Sequence, residues 1–247
     1  MKHLKLRRAI IATAQRMNGL GINQGTSGNV SARAGSGILI TPSGVPYEAL
    51  RPADLVEMNF DGGWECSVAG RYPSSEWRFH LDVLRARPEF GALVHVHSIH
   101  ATALACQRRG IPSFHYMVAA AGGNSIRCAP YATFGTVKLS RNALKALEGR
   151  RACLLANHGV IACGKDLESA LALAVEVETL AAQYTQALQT GRPKILPEAE
   201  MKRVLIKFKA GYGYGSTPRE APKAAGSHAA RPLTRRRPRN VLRSRRR

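Results

Sequence analysis

Two histidines in an apolar segment, His95 and His97, have the types and spacing best suited to chemistry. The segment reads Ala-Leu-Val-His-Val-His, which is typical of a buried strand. Alternate side chains of a strand point to one face, so both imidazoles would face the same way, as two adjacent metal ligands do. The alternative is a pair of core histidines bonded to backbone carbonyls, and the dipeptide alone leaves both interpretations open. His100 follows past the strand, where a structural or supporting role is favoured.

Further ligands would be needed, because catalytic zinc takes three or four protein ligands from His, Asp and Glu. His158 lies in Asn157-His158-Gly159 after an apolar run, where the glycine permits a close approach or an unusual backbone angle. Glu76 follows two serines at the start of a helical pattern. Taken singly, His158 is equally an ordinary loop histidine, and Glu76 is equally explained by helix capping and the helix dipole.

Three polar segments suit a phosphate group: Thr26-Ser27-Gly28-Asn29, Thr41-Pro42-Ser43-Gly44 and Ser74-Ser75. They offer hydroxyls, backbone amides or a helix N-terminus, all of which bind anions. None of them contains a nucleotide-binding glycine motif. Each is a common turn by itself, so the segments become informative only if all three converge on one dianion.

The elements that must position these residues follow from apolar periodicity and from stop signals. Helices are predicted over residues 3–18, from Ser74-Ser75 (with a serine cap) to before Pro88, and over residues 101–107, 167–189 and 198–209. Strands are predicted over residues 37–41, 92–97, 154–156 and 160–163, with a hairpin over 55–60 and 64–68. Strands and helices do not alternate strictly. We therefore expect an α/β single domain with a mixed, mainly antiparallel sheet flanked by helical layers.

The charge of the chain divides it into two parts. The 247 residues carry a net charge of +21, and 11 of the 37 Lys+Arg lie in residues 216–247 with one of the 16 acids. The sequence thus predicts a folded domain over residues 1–215 and a basic, Arg/Pro-rich, disordered tail over residues 216–247. The tail would attract phosphates, but it lacks aromatic residues that stack on bases, so a nucleic-acid partner is not favoured.

Membrane and secretory classes are not favoured either. No apolar run approaches the roughly 20 residues that span a bilayer, and the N-terminal apolar stretch is too short for a signal peptide. The sequence has five cysteines, which is an odd number, and no Cys-x-x-Cys motif. We therefore expect reduced thiols and a cytoplasmic location.

Taken together, the chain resembles the class II aldolase/adducin family from about residue 5 to residue 209. The segments that carry the resemblance occur in the family's order and spacing: Thr26-Ser27-Gly28-Asn29, Thr41-Pro42-Ser43-Gly44, Ser74-Ser75-Glu76, His95-Val96-His97, His115-Tyr116-Met117, Thr133-Phe134-Gly135 and Asn157-His158-Gly159. The resemblance implies a homotetramer with active sites at subunit interfaces.

The resemblance also implies roles for individual residues. One Zn²⁺ per subunit would be bound by Glu76, His95, His97 and His158. The substrate phosphate would lie among Thr26, Gly28, Asn29, Ser43, Gly44, Ser74 and Ser75, and Phe134 would line the substrate pocket. Glu76 would also shuttle a proton, and Tyr116 would donate one to the aldehyde oxygen. A C-terminal tyrosine of the family corresponds to Tyr212 only after a one-residue shift.

The resemblance is strongest to members that cleave L-fuculose 1-phosphate reversibly to dihydroxyacetone phosphate and L-lactaldehyde. We expect this reaction, or cleavage of a closely related ketose 1-phosphate. The alternatives within the fold are a deoxypentulose-1-phosphate aldolase, a pentulose-5-phosphate 4-epimerase and a methylthioribulose-1-phosphate dehydratase. Adducin-like members lack the metal ligands, whereas all four ligand positions are filled here, which argues against a non-catalytic binding protein.

Overall fold

The computed structural model describes residues 1–211, and Met1–Ala210 form one compact unit. The predictions for the tail at 216–247, the boundary at 215 and Tyr212 lie outside the described residues. The α-helices are α1 (Leu4–Gly19), α2 (Trp77–Ala86), α3 (Ile99–Cys106), α4 (Val137–Ala146), α5 (Leu167–Thr190) and α6 (Glu198–Lys209). The strands are β1 (Asn29–Ala34), β2 (Gly37–Ile40), β3 (Val56–Asn59), β4 (Trp64–Glu65), β5 (Ala92–Val96), β6 (Ile111–Pro112), β7 (Ser125–Ala129), β8 (Ala152–Leu155) and β9 (Gly159–Gly164).

These strands form one sheet in the order β4-β3-β2-β1-β5-β9-β8-β7-β6. Every neighbouring pair is antiparallel except β7 and β8, which are parallel. The predicted mixed, mainly antiparallel sheet is therefore confirmed. β5 lies near its centre, between β1 and β9, so β1, β5 and β9 can present side chains to one common site.

The side chains of β5 point alternately to the two faces of the sheet, and each face is covered by its own layer of helices. Val94 and Val96 pack in the core that contains α1, α3 and α5. Leu93 packs in the core that contains α2 and α4. His95 therefore faces the α2 layer, where Phe79 of α2 meets its ring edge-on with the ring centroids 5.2 Å apart.

Local sequence signals explain where several helices begin and end. Asp166 accepts a hydrogen bond from the Ser169 amide and caps α5, as its position predicts. The serine cap predicted for α2 is wrong. The N-cap residue is Glu76, whose side chain caps nothing, while Ser74 Oγ accepts from the Glu76 amide just before the helix. The Glu76 carboxylate is consequently available for another use.

All five cysteines lie in the described residues, and each is a free thiol. Within residues 1–211, none of the helices is long and apolar enough to cross a lipid bilayer.

Candidate metal centre and phosphate site

Four side chains converge on one point at the C-terminal end of the central strand β5. Glu76, His95, His97 and His158 each offer one ligand atom, and these atoms lie within 4.8 Å of one another. His95 Nε2 is 2.9 Å from His97 Nε2 and 3.1 Å from Glu76 Oε2, and His158 Nε2 is 2.8 Å from Glu76 Oε1. The structure thus brings together all four residues predicted as metal ligands. His100 is not one of them, and its backbone amide donates to Glu178.

Three elements of the sheet and one helix place these four groups. His95 lies on β5 and His97 directly follows it, and Glu76 immediately precedes α2. β5 pairs with β9 so that Val96 lies opposite Val160, which brings the β8–β9 turn and its His158 beside His97. The histidines are therefore held by strand pairing, which makes their mutual positions rigid.

The β8–β9 turn itself depends on its two flanking residues. Asn157 has a φ of 53°, and its amide and side chain donate to the Ala105 and Cys106 carbonyls at the end of α3. A Cβ on Gly159 would lie 2.7 Å from His97 Cδ2 and 3.2 Å from His95 Cε1. The close approach predicted for the glycine is therefore present, whereas the unusual backbone angle belongs to Asn157.

The donor set fits a metal ion of the zinc type. His95 Nδ1 lies 2.8 Å from the Val160 carbonyl, so this nitrogen carries the proton and Nε2 keeps its lone pair for the cluster. Glu76 Oε1 is buried and faces His158 Nε2 at 2.8 Å. Tetrahedral zinc with Zn–N distances near 2.05 Å places its ligands about 3.3 Å apart. The observed separations of 2.8–3.1 Å are close to that spacing.

The protonation states also suit metal binding, which requires a carboxylate and neutral imidazoles. Burial alone would raise the pKa of Glu76, but the adjacent His95 and His158 lower it well below its usual range. Burial, with the neighbouring His95 and His158, lowers the pKa of His97 to about 4. At neutral pH Glu76 is therefore a carboxylate and His97 a neutral imidazole, as metal ligands must be.

The three candidate phosphate segments are joined by backbone hydrogen bonds. The Ser74 amide donates to the Thr41 carbonyl, the Ser43 amide to the Tyr72 carbonyl and the Thr41 amide to the Val30 carbonyl. Thr26, Ser43, Gly44 and Ser75 are exposed, whereas Gly28, Asn29 and Ser74 are buried. The three segments are thus neighbours in the fold, and two of their residues, Asn29 and Ser74, contact Glu76.

Close packing shapes the loop that holds Gly28. A Cβ on Gly28 would lie 2.5 Å from the His95 carbonyl oxygen and 2.6 Å from Asn23 Oδ1. The Tyr47 hydroxyl donates to the Gly28 carbonyl. Tyr47 is almost completely buried, and its supporting role was missed from the sequence because a lone Tyr in a turn gives no signal of its partner.

The Asn29 side chain lies behind the cluster and does not point outward. Its Nδ2 lies 3.0 Å from Glu76 Oε2, and its Oδ1 contacts His80 Nε2. His80 is completely buried, and its Nδ1 lies 2.7 Å from Ser31 Oγ. The sequence analysis did not identify His80 and Ser31 as site residues. The available signal was their spacing, because His80 lies one helical turn after Glu76 and Ser31 lies two residues after Asn29.

The other two predicted site residues, Phe134 and Tyr116, lie in different parts of the structure. Phe134 is 62% exposed and precedes Gly135, whose Cβ would lie 2.8 Å from the Ser75 carbonyl, so it borders the phosphate segments. Tyr116 is 42% exposed and begins a 3₁₀ helix, Tyr116–Ala121. That helix packs with α5, α6 and β7, and its buried residues belong to the core on the opposite face of the sheet from α2.

Known proteins resemble this chain along most of its length. A family model described as Class II Aldolase and Adducin N-terminal domain matches residues 8–185. A 5-methylthioribulose-1-phosphate/5-deoxyribulose-1-phosphate aldolase of Rhodospirillum rubrum is 57% identical over 210 residues, covering 85% of this chain and 93% of the relative. An L-fuculose phosphate aldolase of Escherichia coli K12 is 51% identical over 214 residues, covering 86% and 98%. A solved L-fuculose 1-phosphate aldolase superposes with a TM-score of 0.81 at 39% identity, covering 85% and 98%.

Proposed function

Because the chain belongs to the class II aldolase and adducin family, we propose that it cleaves a ketose 1-phosphate reversibly to dihydroxyacetone phosphate and a short aldehyde. The chain is an aldolase, a carbon–carbon lyase that acts on a sugar phosphate. The observation that carries the proposal is the cluster of one carboxylate and three imidazoles with donor atoms within 4.8 Å.

We propose one zinc ion per chain, held by Glu76, His95, His97 and His158. Three neutral imidazoles leave most of the positive charge of a divalent ion uncompensated. A divalent ion bound there supplies a positive field that stabilises the enediolate left when the carbon–carbon bond breaks. Strand pairing and the contact of His95 with Val160 support such a site, because they hold the imidazoles without rearrangement.

Glu76 would move the proton at the ketose carbon that keeps the enediolate charge. In condensation the Glu76 carboxylate would remove this proton while Tyr116 protonates the aldehyde oxygen; in cleavage both transfers would be reversed, so that the hydroxyl proton passes to Tyr116 and Glu76, protonated from solvent, gives its proton to the carbon. Burial of Glu76 supports the role, since burial keeps water from competing for the proton. Tyr116 would donate its hydroxyl proton to the aldehyde oxygen in condensation.

The phosphate would bind among Thr26, Gly28, Asn29, Ser43, Gly44, Ser74 and Ser75. Exposed hydroxyls and amides beside a buried cluster can hold a dianion at a fixed distance from the bond that breaks. Asn29 would contribute its backbone, because its side chain is hydrogen-bonded to Glu76 and His80.

We propose that the substrate's terminal carbon bears no hydroxyl or phosphate group. Fuculose, 5-deoxyribulose and 5-methylthioribulose, which occur in the names of the relatives, all end in a methyl or methylthio group. Exposed Phe134 beside the phosphate segments offers an apolar wall for such an end. L-Fuculose 1-phosphate remains the prediction from the sequence. The name of the 57% identical relative supports 5-methylthioribulose and 5-deoxyribulose 1-phosphates as substrates equally well.

A homotetramer with shared active sites would explain the position of Tyr116. In its own chain, Tyr116 begins a helix in the layer opposite Glu76, so we propose that it serves the site of a neighbouring copy. The cytoplasmic location remains a prediction as well.

The deciding experiment is an assay of the purified full-length protein, loaded with zinc, on four ketose 1-phosphates. These are L-fuculose, 5-methylthioribulose, 5-deoxyribulose and, as the hydroxylated control, ribulose 1-phosphate. Release of dihydroxyacetone phosphate is measured for each. We expect cleavage of at least one deoxygenated substrate with a higher kcat/KM than for ribulose 1-phosphate. Absence of dihydroxyacetone phosphate from all four would refute the proposed function, and equal rates for 5-deoxyribulose and ribulose 1-phosphates would refute the preference.

A further inference from the structure

A buried network of four side chains lies behind the candidate metal centre. Asn29 and Ser31 are two residues apart on β1, so their side chains share one face of the sheet. Glu76 and His80 are four residues apart, at the start of α2 and one turn into it, so they share one face of the helix. The two pairs meet, and each strand residue contacts a helix residue.

The donors and acceptors of this network can be assigned from one end to the other. A carboxylate only accepts hydrogen bonds, so Asn29 must turn its NH₂ group to Glu76 and its oxygen to His80. His80 must then donate from Nε2 to Asn29 Oδ1. A neutral imidazole with its proton on Nε2 accepts at Nδ1, so the Ser31 hydroxyl donates to it.

His80 is suited to this fixed arrangement by its surroundings. It is completely buried, and the Phe79 ring stacks on it with the centroids 4.7 Å apart. Burial and the neighbouring His95 lower the pKa of His80 to about 3, so the ring is neutral at physiological pH and has one donor and one acceptor nitrogen. All three hydrogen bonds therefore point toward Glu76, and each polarises the next.

We infer that His80 is a positioning residue of the reaction, which holds the Asn29 amide against Glu76 and so fixes the carboxylate for proton transfer. Without the His80 donor, only the hydrogen bond to Glu76 would restrain the Asn29 amide, and the Asn29 side chain could swing away from the carboxylate. Glu76 would then turn away from the direction in which it faces the substrate carbon. The effect on proton transfer rests on the proposed function. The arrangement of His80, Asn29 and Glu76 can be tested without any reaction.

The matched variants are His80→Leu, which removes both ring nitrogens, and His80→Gln, which keeps an amide donor at the Nε2 position. Ser31→Ala is a milder change, because it removes only the hydroxyl that fixes the ring's protonation pattern. Crystal structures of the wild type and the variants, each prepared without metal, report the Asn29 to Glu76 contact. Metal content per chain after zinc loading reports whether the four ligands still assemble.

The consequence for proton transfer is measured as exchange of the carbon-bound hydrogens of dihydroxyacetone phosphate with deuterium from the solvent. Exchange requires no aldehyde and isolates the step assigned to Glu76. For His80→Leu we expect one metal per chain, an almost unchanged KM for cleavage, and an exchange rate and kcat about 10- to 100-fold lower, as for loss of a hydrogen bond to a charged group. His80→Gln should recover most of the loss, and Ser31→Ala should lie between the wild type and His80→Leu.

The results that would overturn the inference are equally specific. They are an unchanged Asn29 to Glu76 contact in His80→Leu, a wild-type exchange rate in that variant, or a His80→Gln variant as slow as His80→Leu. If His80→Leu loses both its bound metal and its hydrogen exchange, His80 only stabilises the fold. If His80→Leu does not fold, Ser31→Ala decides, and a wild-type exchange rate in it would refute the inference. A wild type without exchange would instead refute the proposed function, and the crystal structures would still decide the positioning role.

Discussion

Gly159 lies so close to His97 that a Cβ on the glycine would be 2.7 Å from the His97 Cδ2 atom. The same Cβ would lie 2.6 Å from the Val96 carbonyl oxygen, so neither the ring nor the strand could avoid it without moving. Strand β9 thus begins with the one residue type that lets β5 and its histidines approach the β8–β9 turn. The geometry of the cluster depends on this absence of a side chain.

Gly159→Ala should therefore weaken metal binding. The added methyl group must displace the His97 ring or the Val96 carbonyl, and overpacking of this kind costs about 1–3 kcal/mol. We expect a loss of zinc affinity of about 5- to 150-fold in chelator competition, because a cost of 1.4 kcal/mol corresponds to a factor of ten. Gly19→Ala is the control, since a Cβ on Gly19 meets nothing within 4 Å. Wild-type affinity in Gly159→Ala would contradict the account.

Acid should destabilise the fold through His80. Its pKa is about 3 in the folded chain, against about 6.5 in an unfolded chain. Between these values the unfolded state binds more protons, so the free energy of unfolding falls as the pH falls from 6.5 toward 3. For His80 alone the loss from pH 6.5 to pH 5 is on the order of 2 kcal/mol.

This contribution is measured by urea unfolding of metal-free protein at pH 6.5 and 5. His80→Gln, which cannot titrate there, should show a smaller loss over the same interval. Other groups, such as His97, remain in both proteins and cancel in the comparison. An identical pH dependence of the two proteins would show that His80 is not held neutral by its burial.

Variants that lack Tyr116 and variants that lack Glu76 should restore each other's activity when they assemble into one oligomer. Glu76→Gln and Tyr116→Phe should each lower kcat strongly. When the two variants are unfolded together and refolded in equal amounts, about a quarter of the sites in a cyclic tetramer would combine an intact Glu76 with an intact Tyr116. Activity of the mixture above that of either variant is expected. If Tyr116 serves the site of its own chain, no mixed assembly contains an intact site and no activity returns.

The basic tail should be dispensable for catalysis. Eleven of the 37 Lys+Arg lie in residues 216–247, beyond the segment that matches the family. A chain that ends at Ser216 should keep its kcat, and its KM should change by no more than about twofold at physiological salt, where charges farther than about 8 Å apart are screened. The comparison is made with the full-length protein at the same ionic strength. Loss of activity in the shorter chain would give the tail a role in the reaction.

The helices were predictable where local chemistry sets their ends. Asp166 is a typical helix-capping residue and predicts the start of α5. The pattern of charged and apolar residues predicts α6, and both helices occur as predicted. α4, β6 and β7 were missed; the two strands are short, and short strands are decided by their partners. β6 has only two residues and exists through its pairing with β7.

His95 and His97 were predictable as a pair because strand periodicity places them on one face, whereas Glu76 and His158 were assigned to the cluster only through the family resemblance. The residues behind the cluster were not predictable, since a buried His in an amphipathic helix looks like any other core position. The contact of His80 with Asn29 joins residues 51 apart in the chain. Likewise, the placement of Asn29 at the phosphate site gave no sign that its side chain contacts Glu76.

His95→Ala should remove one of the most rigidly held ligands. Its imidazole is completely buried and is fixed by the Val160 carbonyl, so no neighbouring side chain can replace it. We expect loss of stoichiometric zinc and of measurable cleavage. His100→Ala is the matched control, because His100 lies outside the cluster and should leave both properties near the wild type.

The central claim is that the cluster holds the metal on which carbon–carbon cleavage depends. Its most direct test is the rate of dihydroxyacetone phosphate release by full-length protein stripped with a chelator and then titrated with zinc, using the best substrate from the panel. We predict no measurable cleavage by the stripped protein and a linear recovery that ends at one zinc per chain. Undiminished cleavage by protein shown to contain no metal would contradict the account.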